Sequence, residues 1–375
     1  MSTVAVTQAS NLPGKLYHDE EVYRRELERI FFRSWLCVGR EEDLPEPGSF
    51  LTRSVGDESV IIARSNDRTL RAFYNICRHR GSRLISEPEG GRRVLQCPYH
   101  SWSYALDGKL AGAPHTENLK NFDREDYSLL SIQLDTWAGF IFVKFTSGPP
   151  SLQRYLGDLI QKFERVPLAA LRRGGRNVYE VAANWKVLCE NFSECYHCPT
   201  IHPELSRITF YRSAENDAFL SGRDRHGSYS GGRMELAEGC DSMTLTGRTN
   251  RPPLRGLTEE ERRHIHYYLI FPNLFFSLHP DYLMVHTVWP NGPRQATVSN
   301  EFFFEPEAMA RGDFDPGDAV GIWDIINRQD WQACERVQLG MMSRASLPGR
   351  YSEMESLVYD FDRYVLKLLG RKGKN

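Results

Sequence analysis

The sequence has no long apolar run, little net charge and no recognisable secretory leader. No stretch approaches the roughly 18 consecutive apolar residues of a membrane-spanning helix, so we expect no membrane segment. Residues 1–21 lack a basic region followed by an apolar core, which argues against a signal peptide. With 47 basic and 49 acidic residues, the formal net charge of -2 gives no reason to expect nucleic acid as a partner. At 375 residues the chain is long enough for two globular domains.

Cysteine is also scarce, and its placement is informative. Eight cysteines in 375 residues do not make a disulfide framework, so a reducing cytoplasm is the expected setting. Two short loops combine cysteine with histidine: Cys77 and His79 in C-R-H, and Cys97 and His100 in C-P-Y-H. Such a set suits a two-iron, two-sulfur cluster with thiolates on one iron and imidazoles on the other. A structural zinc site is the alternative, although zinc motifs usually keep Cys with Cys and His with His.

The run CRHRG…CPYHSWSYALDGKL closely resembles the Rieske domain of the ring-hydroxylating oxygenase family. The resemblance implies a [2Fe-2S] Rieske cluster on these four ligands, which relays one electron at a time. Ser101, Trp102 and Tyr104 surround the second loop, and we expect them to form the environment of the cluster. Hydrogen bonds to the sulfurs and exclusion of water are the means by which such groups tune a cluster.

The residue pattern divides the chain into three parts. Residues 1–37 contain an amphipathic helix, predicted at 19–36, that is expected to pack on the catalytic domain. Residues 38–148 alternate short β-rich runs with turn residues, which predicts an all-β Rieske domain. Residues 149–375 mix helices and strands and form the predicted mononuclear-iron catalytic domain, with an irregular, mobile segment at 206–260. The predicted class is therefore α+β, and the resemblance implies a helix-grip (Bet v1/START-like) catalytic domain with an antiparallel sheet.

A second candidate metal site contains His197 and His202. On an unbroken helix these side chains would point about 140° apart, too far to share a metal ion. Pro199 and Pro203 predict that the helix ends or kinks near Cys198, which allows the two imidazoles to approach. Two histidines and a carboxylate are the facial triad of non-haem Fe(II) oxygenases.

The segment around these histidines resembles the mononuclear-iron motif of the same family. The family takes its third iron ligand from a C-terminal helix, where Asp330 is the best match and Asp324 the alternative. A C-x-x-C pair, Cys195 and Cys198, also allows a zinc or redox interpretation. No second pair accompanies it, so we expect packing residues there.

Glu194 precedes His197 by three residues, so the two would share a helix face. The resemblance gives this position a bridging acid, which links an iron-bound histidine to the cluster histidine of a neighbouring subunit. It thereby implies a homotrimer and an electron path from His100 through Glu194 of the next subunit to its His197. Asn191 and Glu190 precede the acid as they do in the family, and are expected to support the iron ligands from the second layer.

Glutamate in place of the more common aspartate resembles the family branch that oxidises glycine betaine, carnitine and choline. A quaternary ammonium ion is held by aromatic faces through cation–π attraction. Candidate pocket residues are Phe210, Tyr268, Phe276 and Trp289. His266, His279 and His286 are expected to be structural, with a place in the pocket as the alternative.

The resemblance implies the terminal oxygenase of a multicomponent monooxygenase. Electrons from NAD(P)H would arrive through a separate flavin- and ferredoxin-type reductase, and O2 would serve to hydroxylate or N-demethylate a small quaternary ammonium substrate at iron(II). An aromatic-ring or aromatic-acid dioxygenase is the alternative, because an aromatic-lined pocket suits that substrate as well. A Rieske electron-transfer protein without oxygenase activity is the remote alternative.

Overall fold

The computed structural model describes residues 3–220 and 227–370. The chain forms two compact units: Phe32–Pro149 is one, and the segments before and after it together form the other. The first unit begins six residues before the predicted boundary at residue 38, because Leu36–Arg40 already form an edge strand of its sheet. The predicted α+β class is confirmed, with one unit all-β and the other combining helices with an antiparallel sheet.

The β unit contains a seven-stranded sheet and a small three-stranded sheet, both antiparallel. Its strands are β1 (Leu36–Arg40), β2 (Ser49–Val55), β3 (Glu58–Arg64), β4 (Leu70–Tyr74), β5 (Glu89–Gly91), β6 (Leu95–Gln96), β7 (Ser103–Tyr104), β8 (Leu110–Gly112), β9 (Ser131–Trp137) and β10 (Phe140–Lys144). The strand orders are β1-β10-β9-β4-β3-β2-β5 and β6-β7-β8. A two-residue turn, Ala138-Gly139, joins β9 to β10 with positive φ at both positions, as such hairpin turns require.

The two cysteine-containing loops of this unit rest on its hydrophobic core. Cys77 follows β4 and Cys97 follows β6, and both are buried in the same apolar cluster. The buried Asn75 holds the first loop in place, because its Oδ1 accepts hydrogen bonds from the backbone N–H groups of Leu84 (3.1 Å) and Ile85 (3.0 Å). The loops are therefore fixed at their bases by the fold.

The second unit is built on a seven-stranded antiparallel sheet and a long helix. Its elements are α1 (Thr3–Gln8), α2 (Glu20–Arg29), α3 (Leu152–Leu156), α4 (Leu159–Lys162), β11 (Arg172–Val181), α5 (Trp185–Phe192), α6 (Cys198–Ile201), α7 (Pro203–Ile208), β12 (Glu215–Ala218), β13 (Tyr229–Glu235), β14 (His264–Ile270), β15 (Leu274–Leu278), β16 (Leu283–Gly292), β17 (Gln295–Phe304), α8 (Pro306–Met309), α9 (Gly317–Met341) and α10 (Ser356–Leu368). The strand order is β11-β17-β16-β15-β14-β13-β12. Helix α9 packs its apolar face on this sheet, with Ile322 and Ile326 in a cluster with Ile265 of β14.

The N-terminal helix is shorter than predicted. It ends at Arg29 rather than at residue 36, because the chain enters β1 soon afterwards. Pro272, which cannot donate to a ladder, lies between β14 and β15. None of the helices in the described part of the chain is long and apolar enough to cross a membrane.

The segment 206–260 is only partly irregular. It contains β12 and β13, which pair with each other, while residues 221–226 within it lie outside the described residues. In its later part Arg251 is buried and forms ion pairs with Asp281 (2.8 Å) and Asp318 (2.7 Å). These contacts tie the irregular stretch to the sheet and to α9.

Candidate metal centres and the catalytic cavity

The β unit brings the four predicted cluster ligands to adjacent loops. The His79 and His100 rings lie 4.7 Å apart between centroids. The thiols of Cys77 and Cys97 are near enough for Cys97 to contribute to the raised pKa of Cys77, after burial, which is the largest cause. Both cysteines are buried, whereas His79 is exposed and His100 half-buried. Two buried sulfurs below two more exposed imidazoles fit a cluster in which each pair of ligands takes its own iron.

The two loops have the same backbone shape. The N–H of Gly81 donates to the carbonyl of Cys77 at 3.0 Å, and the N–H of Ser101 donates to the carbonyl of Cys97 at 3.1 Å. Both donors have left-handed backbone conformations, with φ of 72° and 58°. Glycine adopts this conformation without strain, whereas serine does so at a cost that the surrounding fold must offset.

Tyr104 and Trp102 contact the ligands as predicted for the environment of a cluster. The Tyr104 hydroxyl accepts a hydrogen bond from the Arg78 N–H (2.9 Å), which leaves its own hydrogen to point at Cys77 Sγ, 3.3 Å away. The Trp102 ring stacks on His79 at 4.8 Å, nearly parallel. One residue thus donates to a sulfur, and the other covers one face of an imidazole.

Cys97 lies among hydrogen-bond donors that favour its thiolate form. Burial raises the pKa of this thiol, but the N–H groups of Tyr99 and His100 and the hydroxyl of Ser82 outweigh burial, so the pKa is lowered. Ser82 thus belongs to the surroundings of this sulfur, whereas Ser101 contributes its backbone N–H to the Cys97 carbonyl. A sulfur held as an anion is what a metal–thiolate bond requires, so these residues fit the cluster.

In the other unit, His197, His202 and Asp330 form a compact group. One ligand atom from each lies within 4.8 Å of the other two. Asp330 Oδ1 lies 2.9 Å from His202 Nε2 and 3.4 Å from His197 Nε2. The helix break that permits this lies earlier than predicted: α5 ends at Phe192, and Pro199 lies in the first turn of α6 instead of ending a helix.

Hydrogen bonds fix the tautomers of both histidines. Gln329 Nε2 donates to Glu204 Oε2 at 3.1 Å, which turns Gln329 Oε1 toward His202. His202 Nδ1–H donates to that oxygen at 2.7 Å, and His197 Nδ1–H donates to Glu194 Oε1 at 2.5 Å. In both rings Nε2 is thereby the nitrogen that faces the carboxylate of the group. The sequence prediction missed Gln329 and Glu204. Gln329 directly precedes the predicted ligand Asp330, and Glu204 directly follows Pro203, the proline next to His202.

The electrostatics of this group favour a positive charge at its centre. Burial works against protonated His197, yet hydrogen bonds to Asp330 and Glu194 raise its pKa to about 10. Burial likewise raises the pKa of Asp330, but the two histidines lower it to about 2. Two imidazole nitrogens and a carboxylate oxygen, with tautomers fixed for ligation, fit a divalent metal ion with open coordination positions.

Asp324, the alternative third ligand, lies outside this group. Its carboxylate accepts a hydrogen bond from the Tyr179 hydroxyl at 2.7 Å and pairs with Arg328 at 2.9 Å. It makes no contact with either histidine in the described residues. Asp330 is therefore the carboxylate that the fold brings to the histidines.

The turn before α6 differs from its predicted form. Glu194 and His197 do not share a helix face; instead, the Glu194 carboxylate accepts hydrogen bonds from the N–H groups of Tyr196 and His197. The tight turn brings the Cα atoms of Cys195 and Cys198 to 4.9 Å, and the structure joins the two as a disulfide. We had expected these cysteines to be packing residues, and the apolar cluster beneath α9 does contain both.

Glu190 belongs to a buried cluster of acids and does not line the cavity. The Tyr17 hydroxyl donates to Glu190 Oε1 at 2.7 Å, and the Tyr351 hydroxyl donates to Asp362 Oδ2 at 2.5 Å. Burial raises the pKa of Glu190 well above its usual value and that of Asp362 to about 7. Because two adjacent buried carboxylates cannot both ionise, the pair holds a proton at neutral pH.

A cavity of about 560 Å³ opens onto the histidine–carboxylate group. Asn191, predicted as a supporting residue, lines it. Six aromatic side chains form much of its wall: Phe192, Tyr211, Tyr267, Phe275, Trp323 and Trp331. Its size and largely apolar wall are those of a small-molecule site.

The four aromatic residues proposed from sequence do not line the cavity: Phe210, Tyr268, Phe276 and Trp289. Three of their immediate neighbours do, namely Tyr211, Tyr267 and Phe275. On β14 and β15 the reason is simple, because successive side chains of a strand point to opposite faces of the sheet. The aromatic pattern located the strands but not the face that borders the cavity.

Two family models match the chain. "Ring hydroxylating alpha subunit (catalytic domain)" covers residues 168–371, and "Rieske [2Fe-2S] domain" covers residues 34–123. The glycine betaine monooxygenase oxygenase subunit of Pseudomonas aeruginosa (strain UCBPP-PA14) is 32% identical, over 97% of this chain and 90% of its own length. The carnitine monooxygenase oxygenase subunit of Acinetobacter pittii (strain PHEA-2) is 36% identical, over 90% of this chain and 86% of its own length.

Solved structures show the same fold. The quaternary ammonium Rieske monooxygenase CntA, in complex with gamma-butyrobetaine, superposes with a TM-score of 0.78 at 25% identity, over 98% of this chain and 97% of its own. Naphthalene 1,2-dioxygenase from Rhodococcus sp., bound to indole, gives a TM-score of 0.73 at 20% identity, over 96% and 94%. The second likeness concerns the fold alone.

Proposed function

The chain belongs to the Rieske-type ring-hydroxylating oxygenase family and is an oxidoreductase, and on that premise we propose that it oxidises a small quaternary ammonium compound. In this proposal it is the terminal oxygenase component and removes an N-methyl group, as from glycine betaine. The observation that carries the proposal is the aromatic-walled cavity that opens onto the histidine–carboxylate group. The relatives named for glycine betaine and carnitine support it.

The two groups of metal-ligating side chains indicate which metal centre each would hold. His197, His202 and Asp330 would hold a mononuclear iron(II), and the two Cys-His loops of the β unit would hold the [2Fe-2S] cluster. When bound, the iron supplies dioxygen activation, and the cluster supplies electrons one at a time. The chain's own contribution is to fix each ligand nitrogen, as Glu194 and Gln329 do for the histidines.

The cavity wall suits a cation that cannot donate a hydrogen bond. The Tyr267 hydroxyl donates to Asn216 Oδ1 at 3.2 Å, and the Trp323 indole N–H donates to the Tyr282 hydroxyl at 2.8 Å. These hydrogen bonds occupy the polar atoms at the edges of the two aromatic side chains. The faces of the rings are therefore available to contact the substrate. Aromatic faces attract a quaternary ammonium ion through cation–π interaction.

The reaction balances without a further co-reactant. A substrate with an N-methyl group, O2, NAD(P)H and a proton give the demethylated amine, formaldehyde, water and NAD(P)+. Hydroxylation of the methyl carbon gives a hemiaminal, and cleavage of its C–N bond releases formaldehyde. The reduced nicotinamide acts through a separate flavin- and ferredoxin-type reductase, which places the reaction in the cytoplasm.

Electron delivery in this proposal requires a homotrimer. Glu194 holds His197 Nδ1 at 2.5 Å, and its side chain is 13% exposed. A carboxylate so placed would join the iron ligand to His100 of a neighbouring subunit. That bridge gives a short path between centres that belong to different subunits.

The test is coupled dioxygen uptake by the iron-loaded protein with a surrogate reductase and NADH. The panel comprises glycine betaine, carnitine, gamma-butyrobetaine, choline and several aromatic acids. Formaldehyde formed in step with O2 consumed from an ammonium substrate supports the proposal, whereas turnover of aromatic acids alone refutes it. Iron analysis adds a separate check, because an oxygenase holds three iron atoms per chain and an electron carrier holds two.

A further inference from the structure

Arginine and lysine are rare in the cavity wall. Among the described residues that line it, Arg212 is the only arginine or lysine, and the carboxylates are Glu194, Asp330 and Glu353. Two of these carboxylates are engaged with the histidines. Outside the histidine–carboxylate group, Arg212 is therefore the described side chain of the wall that can neutralise a negative charge on a bound molecule.

A short anchored turn places Arg212 at the cavity. It lies in the 3-10 turn Tyr211–Ser213, which is fastened to β13 at Glu235: the Phe210 N–H donates to the Glu235 carbonyl (2.9 Å), and the Glu235 N–H donates to Ser213 Oγ (2.9 Å). Arg212 Nε donates to the Tyr211 hydroxyl at 3.2 Å. Both residues of that pair line the cavity.

The terminal nitrogens of this guanidinium remain available. Within residues 3–220 and 227–370, neither Nη1 nor Nη2 of Arg212 makes a hydrogen bond or an ion pair. Arg233 on the neighbouring strand β13 differs, because its guanidinium pairs with both Glu215 and Glu260. A planar fork with two free donors has the geometry that binds a carboxylate through two hydrogen bonds.

The cavity has a buried end and an exposed end. His202 is 1% exposed and the Asp330 side chain 14% exposed, whereas Arg212 is exposed to solvent. A substrate oxidised at an N-methyl group must place its ammonium end near the buried histidines. Any anionic group at its opposite end then points toward the exposed end, where Arg212 lies.

We infer that Arg212 binds the carboxylate of a zwitterionic substrate, and so selects betaines over quaternary ammonium compounds without an anionic group. This inference rests on the proposed function and narrows its substrate class. The aromatic wall recognises the cation, which all members of the class share. The guanidinium recognises the carboxylate, which carnitine, gamma-butyrobetaine and glycine betaine carry and choline lacks.

The test measures binding, not turnover. Iron-loaded protein without reductase is titrated calorimetrically under anaerobic conditions with gamma-butyrobetaine, glycine betaine, glycine betaine methyl ester and choline. In Arg212→Gln we expect Kd for the two carboxylates to rise about tenfold, which corresponds to about 1.4 kcal/mol. Kd for the ester and for choline should stay within twofold, because neither offers a carboxylate.

Arg262→Gln is the matched control, since it removes the same charge from an exposed position outside the cavity wall. It should leave every Kd unchanged. Arg212→Lys, which keeps the charge but not the fork, should fall between the wild type and Arg212→Gln. Equal Kd values for the carboxylates in Arg212→Gln and the wild type would overturn the inference and leave the proposed function standing. Failure of the wild type to bind any ammonium compound would overturn both.

Discussion

The hydrogen bond between Gln329 and His202 makes the sharpest prediction from this site. Gln329→Ala removes the oxygen that accepts the His202 Nδ1–H at 2.7 Å. It also frees Glu204, whose carboxylate receives the Gln329 amide at 3.1 Å. With no acceptor at Nδ1, the imidazole can exchange its proton between the two nitrogens or rotate, and either change removes the lone pair from the metal position.

The size of the effect follows from the burial of this histidine. His202 is 1% exposed, so in the wild type Gln329, and not bulk water, is the partner of its Nδ1–H. An unsatisfied buried donor costs roughly 1–3 kcal/mol. Loss of such a partner typically lowers metal affinity about 10–100-fold, which agrees with that range. We expect a loss of Fe(II) affinity in this interval with little change in overall folding.

The assay is competition for Fe(II) against a chromogenic chelator, with Gln332→Ala as the control. Gln332 lies on the same helix and is exposed, so its truncation should leave affinity unchanged. A double variant, Gln329→Glu with Glu204→Gln, tests the cause because it exchanges the amide and the carboxylate. The new carboxylate at position 329 accepts from His202 Nδ1–H, and the new amide at position 204 donates to that carboxylate. Affinity in Gln329→Ala within twofold of the control would refute the reasoning.

Three further predictions concern the electron path, the buried acids and the cluster. Glu194→Gln keeps the side-chain shape but removes the charge; both metal centres should load while product formation slows greatly, and unchanged coupled turnover would contradict the bridge. In the Glu190–Asp362 pair, the folded state retains a proton that the unfolded chain releases. The free energy of unfolding should therefore fall by up to about 1.4 kcal/mol per pH unit as the pH rises from 3.8 to about 7. Asp362→Asn should flatten that slope in denaturant titrations at pH 5, 6 and 7, and an unaltered slope would disprove the shared proton. Tyr104→Phe removes the hydroxyl 3.3 Å from Cys77 Sγ and should lower the cluster midpoint potential by roughly 20–60 mV in a spectroscopic titration, whereas an unmoved potential would exclude this hydrogen bond.

Local motifs were predictable because neighbouring residues determine them. The Cys-His loops have the same turn, closed between residues four apart, and their ligands lie within four residues of each other. His197 and His202 are separated by only four residues, and the prolines indicated a helix break nearby, although they lie at the starts of short helices and not at the end of one. For such features the sequence spacing already restricts the geometry, and the fold supplies only the base on which the loops rest.

Contacts between distant segments were harder to predict. His202 and Asp330 are 128 residues apart, and only the family resemblance placed them together before the structure did. The Gln329–Glu204 pair spans 125 residues and carries no motif. Nothing in the local pattern distinguishes a glutamine that orients a ligand from one that faces solvent, such as Gln332 on the same helix.

The spacing of the residues that line the cavity shows how part of its wall could have been predicted from the sequence. On α9 the lining residues are Trp323, Ile326, Asn327, Asp330 and Trp331, spaced by three and one as one face of a helix requires. Once Asp330 is assigned, that face can be derived from the sequence. On β15 the same reasoning fails, because all five residues of Leu274–Leu278 are buried and apolar character does not distinguish the two faces. The lining residues of a helix can thus be assigned once one metal ligand on that helix is known. For a strand, at least one residue of that strand must already be known to face the cavity.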